Sequence, residues 1–157
     1  GFGFPAAIGA QLGCPDKKVW AVCGDGGFQM TQAELATASI HKLPTKCLIV
    51  NNNYLGMVRQ WQELFFDNRL SGVDLVGNPD FVKLAEAYGV KAWRIRRPAD
   101  VDRILAAAHA YDDGPCVVVA EVVKEDNVFP MIPAGAPLSG MIVEKPKEPM
   151  AKPTGST

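Results

Sequence analysis

The stretch Gly24-Asp25-Gly26-Gly27, followed along the chain by Asn51-Asn52-Asn53, decides the fold. Each polar cluster comes directly after an apolar run that is typical of a strand: residues 18–23 before the first cluster and residues 46–50 before the second. The interval between the clusters is long enough for one helix and a second parallel strand, as in a βαβ unit. Open α/β sheets bind ligands beyond the carboxyl ends of their strands. We therefore expect both clusters at the ligand-binding edge of a parallel sheet.

The two clusters offer complementary chemical groups. Asp25 supplies a carboxylate, the glycine turn around it supplies backbone N–H groups, and the asparagines supply amide oxygens. Mg2+ prefers oxygen ligands, which it commonly shares between protein and phosphate. The pattern predicts a site for a divalent cation that carries a diphosphate. The competing interpretation is a glycine turn and an asparagine loop that merely end two strands.

Strand and helix patterns alternate along the rest of the chain. Helices are predicted over residues 4–13, 31–41, 54–66, 79–88 and 98–111, and two further strands over residues 90–96 and 115–123. The last strand is a continuous β-branched run, typical of a parallel sheet covered on both faces. Thr31 and Glu34 have the spacing of a helix capping box, and Gly89 stands where a left-handed C-cap is expected. The fold class predicted is a doubly wound, mainly parallel α/β sheet with helices on both faces.

Length and composition predict one globular domain, with no sign of nucleic-acid binding or of a membrane span. The chain has 157 residues, 48% of them hydrophobic, and a formal net charge of −1. This balance gives no electrostatic case for nucleic acid or an anionic membrane, and the apolar runs are too short to span a bilayer. We expect a domain over residues 1–144 and a flexible, Pro/Gly-rich tail over residues 145–157. The chain opens without Met and inside a helical pattern, which predicts a piece of a longer protein.

The cysteines and histidines indicate neither a zinc site nor a disulfide framework. The chain has four cysteines, none in CxxC spacing, and two histidines. Cys23 and Cys47 lie in predicted central strands, where a free thiol behaves as a small hydrophobe. A reducing compartment is expected, and with no visible signal peptide the predicted location is the cytoplasm.

Four further stretches narrow the family, beyond the Gly-Asp-Gly and Asn-Asn motifs typical of thiamine-diphosphate (ThDP) enzymes. They are Gly1-Phe-Gly-Phe-Pro-Ala-Ala-Ile-Gly-Ala10, Phe28-Gln-Met-Thr-Gln-Ala-Glu-Leu35, Gly56-Met-Val-Arg-Gln-Trp61 and Pro130-Met-Ile-Pro-Ala-Gly135. In this order they resemble the C-terminal, diphosphate-binding domain of the acetohydroxyacid synthase (acetolactate synthase) family, from Gly1 to about Gly135. The Gly56–Trp61 helix is the most discriminating of the four.

The resemblance implies a set of site residues and the cofactors ThDP and Mg2+. The implied metal ligands are the side-chain oxygens of Asp25 and Asn52 and the backbone carbonyl of Tyr54. The implied cofactor-binding residues are Gly24, Asp25, Gly26, Gly27, Asn52, Tyr54, Gly56 and Met57. Met57 and Trp61 match residues that line the family's substrate pocket. Without the resemblance, the spacing of Tyr54, Met57, Val58 and Trp61 on one helical face predicts core packing instead.

The resemblance also implies what this chain contributes and what it leaves to others. In the family, pyruvate loses CO2 on the cofactor, and the remaining two-carbon unit joins pyruvate or 2-oxobutyrate, in branched-chain amino acid biosynthesis. The glutamate that activates ThDP belongs to an N-terminal domain supplied by a partner subunit, so no catalytic residue is expected here. FAD, where present, is bound mainly by a middle domain. The implied partners are these two domains, a second copy in a dimer or tetramer with the active site at the subunit interface, and a small regulatory subunit.

Several alternatives stay open at this stage. The chain could belong to another ThDP-dependent 2-oxoacid decarboxylase or carboligase, or be a stand-alone Mg2+-diphosphate binding module without catalysis. Arg94, Arg96 and Arg97 could form an anion site, although a solvated sheet end is the favoured interpretation. The segment Phe129–Gly140, rich in Pro and Gly, is expected to be mobile until cofactor and substrate order it.

Overall fold

The structure is a computed structural model that describes residues 1–146. Its strands are β1 (Trp20–Gly24), β2 (Lys46–Asn51), β3 (Lys91–Ile95) and β4 (Cys116–Glu121). Its helices are α1 (Gly3–Gly13), α2 (Asp25–Gln29), α3 (Glu34–Ile40), α4 (Gly56–Phe65), α5 (Phe81–Ala87) and α6 (Val101–Ala110), with short 3-10 turns at Pro98–Asp100 and Leu138–Gly140. Most of the predicted tail, residues 147–157, lies outside the described residues.

The four strands form one parallel sheet in the order β1-β2-β4-β3. Side chains alternate between its two faces along β4. Val117 and Val119 pack with α1, α2, α3 and α5, whereas Val118 packs with α6 on the opposite face. β4 is inside the sheet and its first four residues are buried, as its β-branched run predicted. The doubly wound α/β prediction is confirmed.

The chain divides into two compact units. The sheet unit, Gly1–Asn53 with Val76–Val123, contains all four strands and every helix except α4. The α4 unit, Tyr54–Leu75 with the segment from Lys124 onward, has a small apolar core of its own around Leu64, Phe65 and Ile142. No helix within residues 1–146 is long and apolar enough to cross a membrane.

The sequence-based prediction was wrong in detail at the first polar cluster. Residues 24–27 do not form a free glycine turn, because α2 begins at Asp25 immediately after β1. The capping box is also absent: the Thr31 hydroxyl donates to the Gly1 carbonyl, and Glu34 accepts a hydrogen bond from the Thr37 hydroxyl instead. The following helix, α3, therefore starts at Glu34 rather than at Thr31.

Strand β1 is less buried than its apolar sequence predicted. It lies at the edge of the sheet, and Val22 on its outer face is 66% exposed. The C-cap prediction is confirmed, since Gly89 has a φ of +70° and follows Tyr88, the C-cap residue of α5. The start of α5 was misplaced by two residues: Asp80 is the N-cap, and its carboxylate accepts from the N–H groups of Val82 and Lys83.

Candidate cofactor site

The carboxyl ends of β1 and β2 bring the two polar clusters of the sequence together. The two strands are neighbours in parallel register, with Gly24 opposite Val50. Asp25 follows β1 at the start of α2, and Asn51 is the last residue of β2. One further side chain, Asn78, joins the clusters. Its amide nitrogen Nδ2 lies 2.6 Å from Asp25 Oδ2, 3.1 Å from Asn53 Oδ1 and 3.3 Å from Asn51 Oδ1.

Asp25 is a buried carboxylate with only part of its hydrogen-bonding capacity used. The residue is 1% exposed, and its Oδ1 atom has no hydrogen-bond partner among the described residues. A buried charged oxygen without a partner is costly, so Oδ1 is the atom of Asp25 that is available to an external ligand. An oxygen-binding divalent cation is the partner whose chemistry fits it, since the amide oxygens of the neighbouring asparagines complete an oxygen-rich environment.

The backbone around Asp25 is open. A Cβ atom built on Gly24 or on Gly27 has no atom within 4 Å beyond its chain neighbours and the backbone of its own helix, so packing against the rest of the chain does not require glycine at either position. Gly26 and Gly27 lie in the first turn of α2, where main-chain N–H groups have no carbonyl partner within the helix. A diphosphate could approach this backbone closely. The residues present therefore fit the group that the sequence predicts, and their roles in cofactor binding stay a prediction.

In the second polar cluster, an ionic network orients the side chain of Asn51. The Asn51 amide donates to Glu121 Oε2 at 2.8 Å, which directs its carbonyl oxygen towards Asn78. Glu121 in turn accepts from Arg94 at 3.0 Å, and Arg94 also pairs with Asp80. Asn52 is partly buried directly after β2. The Asn51 amide thus has its donor end fixed by Glu121 and its acceptor end fixed by Asn78.

The remaining predicted site residues belong to the α4 unit. Tyr54 forms a β-bridge with Asp74, and its ring lies under the Lys124 ammonium at 4.4 Å and the Arg59 guanidinium at 5.0 Å. Gly56 is the first residue of α4. Met57 follows it and is 53% exposed.

Trp61 lies on α4 beside an apolar cavity. Its ring packs against that of Phe65 with centroids 5.0 Å apart. The cavity has a volume of about 410 Å³ and is lined by Val58, Trp61, Gln62, Phe66 and Arg69. Met57 is not among its lining residues. The predicted stripe Tyr54–Met57–Val58–Trp61 is not the buried face of the helix, because Gln60, Leu64 and Phe65 are buried while Met57 and Val58 are half exposed.

Sequence reasoning missed two polar side chains that organise these regions. Asn78 lay in a stretch predicted only as a loop, and no local pattern distinguishes it from other loop residues. Gln60 is 1% exposed and makes a two-sided pairing with the main chain of Val128: its Nε2 donates to the carbonyl at 2.9 Å, and its Oε1 accepts from the N–H at 2.8 Å. Its place in the Gly56–Trp61 motif was a signal, but its partner could not be read from the sequence.

The arginine cluster at the end of β3 is largely neutralised. Arg94 pairs with Asp80 and Glu121, and Arg97 pairs with Asp100 at 3.0 Å. The hydrogen bond from Arg97 to Asp100 raises the pKa of the guanidinium and lowers that of the carboxyl. These contacts favour the solvated-sheet-end interpretation over an anion site.

Two thiols of the sheet interact. A hydrogen bond between Cys23 on β1 and Cys47 on β2 lowers the pKa of Cys23 to about 7 and raises that of the buried Cys47 well above its usual value. All four cysteines are free.

Among residues 1–146, no three His, Cys, Asp or Glu side chains form a metal-binding group. Among the described residues, Asp25 is the one carboxylate that accepts a hydrogen bond from the Asn78 amide.

A parallel α/β sheet with a buried carboxylate and amide oxygens at the carboxyl ends of two neighbouring strands is the arrangement expected of a domain that binds a diphosphate cofactor. Comparison with known families makes this specific. Residues 1–120 match the family described as "Thiamine pyrophosphate enzyme, C-terminal TPP binding domain". The chain belongs to this family.

Individual relatives carry a narrower description. The chain is 48% identical over 139 residues to acetolactate synthase of Mycobacterium avium, a match that covers 86% of this chain and 22% of the relative. It is 42% identical over 142 residues to acetolactate synthase isozyme 2 large subunit of Escherichia coli, covering 90% and 26% respectively. The chain thus spans about a quarter of the length of these relatives.

A solved structure resembles the fold. It is the ThDP-dependent 4-hydroxybenzoylformate decarboxylase of Rhodococcus jostii RHA1, with a TM-score of 0.72 and 33% sequence identity. The match covers 80% of this chain and 23% of that protein. The family resemblance read from the sequence is confirmed.

Proposed function

We propose that this chain is the C-terminal, ThDP-binding domain of the catalytic subunit of an acetolactate synthase. The observation that carries the proposal is the buried Asp25 carboxylate, whose Oδ1 lacks a partner among the described residues and whose Oδ2 shares the Asn78 amide with two asparagine oxygens. Relatives named acetolactate synthase, aligned over most of the chain, support the choice of reaction.

The chain's own residues bind and orient the cofactor rather than react with substrate. Asp25 and Asn52 supply side-chain oxygens to Mg2+, which neutralises the diphosphate. The N–H groups around Gly24, Gly26 and Gly27 bind the diphosphate oxygens directly. The Tyr54 carbonyl as a third metal ligand, and Gly56 with Met57 as further cofactor-binding residues, remain predictions carried by the family resemblance.

The bound cofactor supplies the carbon centre and electron sink for decarboxylating a 2-oxoacid and transferring the remaining fragment. The proposed substrates are pyruvate as donor and pyruvate or 2-oxobutyrate as acceptor, with Met57 and Trp61 lining the pocket for the acceptor. The glutamate that activates the cofactor is supplied by another domain.

The proposal extends to partners and location. N-terminal and middle domains of the same enzyme, the latter carrying FAD, would complete the active site, together with a second copy of the subunit. A small regulatory subunit is a further candidate partner. The proposed location is the cytoplasm.

A second candidate function is a ThDP-dependent 2-oxoacid decarboxylase that releases an aldehyde. The solved decarboxylase of similar fold favours it. Its identity to this chain, 33%, is below the 48% and 42% of the two acetolactate synthases described above. The two functions differ in product, because a carboligase retains the two-carbon fragment that a decarboxylase releases.

Substitution of the central carboxylate tests the cofactor site. Asp25→Ala in the full-length enzyme should abolish ThDP-dependent turnover of pyruvate, because the substitution removes the charged metal ligand. The matched control is Asp113→Ala, which removes an exposed carboxylate and should leave turnover unchanged. Near-normal activity of Asp25→Ala at saturating ThDP and limiting Mg2+ would contradict the assignment of Asp25 as a metal ligand.

A further inference from the structure

The Asn78 side chain connects elements that are far apart in sequence at the proposed cofactor site. Its amide nitrogen contacts the carboxylate that follows β1, the amide oxygen of the last residue of β2 and the amide oxygen of Asn53. An amide group has only two hydrogens for these three oxygens. The shortest contact, 2.6 Å, is to Asp25 Oδ2, the charged acceptor, as expected for a charge-assisted hydrogen bond.

The orientation of the Asn78 amide is fixed by a second contact. Gln29, the last residue of α2, donates its amide N–H to Asn78 Oδ1. Since the oxygen end of Asn78 is held by a donor, its nitrogen end must face the carboxylate and the asparagine oxygens. Asn51 is oriented in the same way, because its own amide nitrogen is held by Glu121.

The consequence for Asp25 is that its two oxygens are inequivalent. Oδ2 is held by Asn78, whereas Oδ1 is buried and without a partner among the described residues. Carboxylates that bind metals commonly bind through one oxygen while a neighbouring hydrogen-bond donor holds the other, and such supporting donors strongly affect metal affinity.

We infer that Asn78 is a positioning residue for the metal site: it holds Asp25 Oδ2 and thereby presents Oδ1 to the cation, and it ties the end of β1 to the asparagine cluster after β2. The inference rests on the proposed function, because it takes Asp25 as the metal ligand. Asn78 itself is not a ligand, since its oxygen is turned away towards Gln29.

Metal affinity measured apart from turnover tests this role. In the full-length protein at saturating ThDP, Mn2+ replaces Mg2+, and the electron paramagnetic resonance signal of free Mn2+ gives the dissociation constant. Asn78→Ala should weaken Mn2+ binding by about tenfold or more. At saturating Mn2+, the affinity for ThDP should change much less, because the diphosphate contacts are untouched.

The matched control is Gln11→Ala. Gln11 is also a buried amide, 2% exposed, and it donates to the carbonyls of Cys14 and Lys17 before β1, at the opposite end of that strand from Asp25. Its loss should lower stability but leave the Mn2+ dissociation constant within about twofold of wild type. A loss of Mn2+ affinity in Gln11→Ala equal to that in Asn78→Ala would overturn the inference, because the effect would then be general.

Two further variants separate the possible failures. If Asn78→Ala does not fold, Gln29→Met carries the test: it removes the donor that orients Asn78 and should weaken Mn2+ binding several-fold, and an unchanged constant overturns the inference. Asp25→Ala tests the proposed function in the same Mn2+-binding assay. If Asp25→Ala loses Mn2+ binding while Asn78→Ala binds as wild type, the positioning role is wrong and the proposed function stands. If Asp25→Ala binds Mn2+ normally, the proposed function falls and the inference with it.

Discussion

At the scale of the residue, Trp61 can be interpreted either as an apolar wall of a substrate pocket or as an ordinary core side chain. It packs against Phe65 on one side and lines an open cavity on the other. A side chain that packs on one face only can remain stable while its other face contacts a ligand. We propose that this free face contacts the acceptor substrate, where a methyl or ethyl group must be distinguished.

The Trp61→Leu substitution should change acceptor choice more than overall activity. A hydrophobic wall discriminates one methylene by about 1–3 kcal/mol. In the full-length enzyme, the preference for 2-oxobutyrate over pyruvate as acceptor should therefore fall by roughly tenfold or more, while pyruvate self-condensation largely survives. Competition between the two acceptors, with quantification of both products, measures the ratio.

Trp93→Leu is the matched control for this change. Trp93 lies on β3 and packs edge-on against Tyr111 in the sheet unit, so its loss should lower stability without altering the acceptor ratio. A wild-type ratio in Trp61→Leu together with a stability loss of several kcal/mol would identify Trp61 as a core residue.

At the scale of the element, two glutamine side chains of α4 each bond the main-chain N–H and carbonyl of a residue in another segment. Gln60 bonds both the N–H and the carbonyl of Val128, and Gln62 bonds both groups of Ser71 in the same manner. Each glutamine ties a separate segment of the α4 unit to the helix. Residues 124–146 contain little regular structure, and the Gln60 pairing and the Met131–Ile142 bridge are two of their restraints.

Loss of the Gln60 pairing should loosen the segment that follows Lys124. Gln60→Leu removes the side-chain partners of the Val128 N–H and carbonyl, and each lost hydrogen bond costs about 0.5–1.5 kcal/mol. Trypsin should cut after Lys124 several-fold faster than in wild type. Gln62→Leu provides the control, since it should expose Arg69 near Ser71 to trypsin without affecting the site at Lys124. Equal cleavage at Lys124 in wild type and Gln60→Leu contradicts the proposed restraint.

The cap of α5 should give a pH-dependent contribution to stability. Partial burial acts to raise the pKa of Asp80, but the N–H of Lys83 and the charge of Arg94 outweigh it and lower the pKa overall. Since the folded state favours the ionised form, its stabilisation is complete above the ordinary Asp pKa of about 4 and is lost as the pH falls through the lowered folded value.

Asp80→Ala should therefore destabilise the chain by about 1 kcal/mol at pH 7. The difference from wild type should shrink as the pH falls below about 4. Denaturant midpoints at pH 7 and pH 3 measure both effects. Asp102→Ala, an exposed acidic residue in the first turn of α6, should cost less at pH 7. A difference that persists unchanged at pH 3 contradicts the cap.

The elements also show how far the sequence could determine the fold. Periodicity and β-branched content located all four strands and the sheet type, because burial on a sheet face constrains each residue directly. The buried face of α4 was misjudged for a physical reason. Gln60 is buried and pairs with Val128, and local sequence could not show this because the two residues are 68 positions apart in the chain. The role of Asn78 was not predicted for the same reason, since Asn78 lies in an irregular loop and its partner Asp25 is 53 positions away in the chain.

At the scale of the whole molecule, the sheet unit carries exposed apolar side chains on its first elements. Phe2 is 86% exposed, Met30 72% and Val22 66%. Scattered exposed apolar residues are normal on a monomer. The chain, however, spans only 22–26% of the length of its relatives. We expect further domains of the proposed enzyme to cover part of this surface.

The product formed from pyruvate tests the central proposal most directly. The full-length protein and the 157-residue chain are incubated in parallel with ThDP, Mg2+ and pyruvate, with and without 2-oxobutyrate, and all products are quantified. The full-length protein should form acetolactate, and acetohydroxybutyrate when 2-oxobutyrate is present. The 157-residue chain alone should form neither, because the proposed activating glutamate belongs to another domain. Release of acetaldehyde as the only product of the full-length protein, or acetolactate from the purified 157-residue chain, would contradict the account.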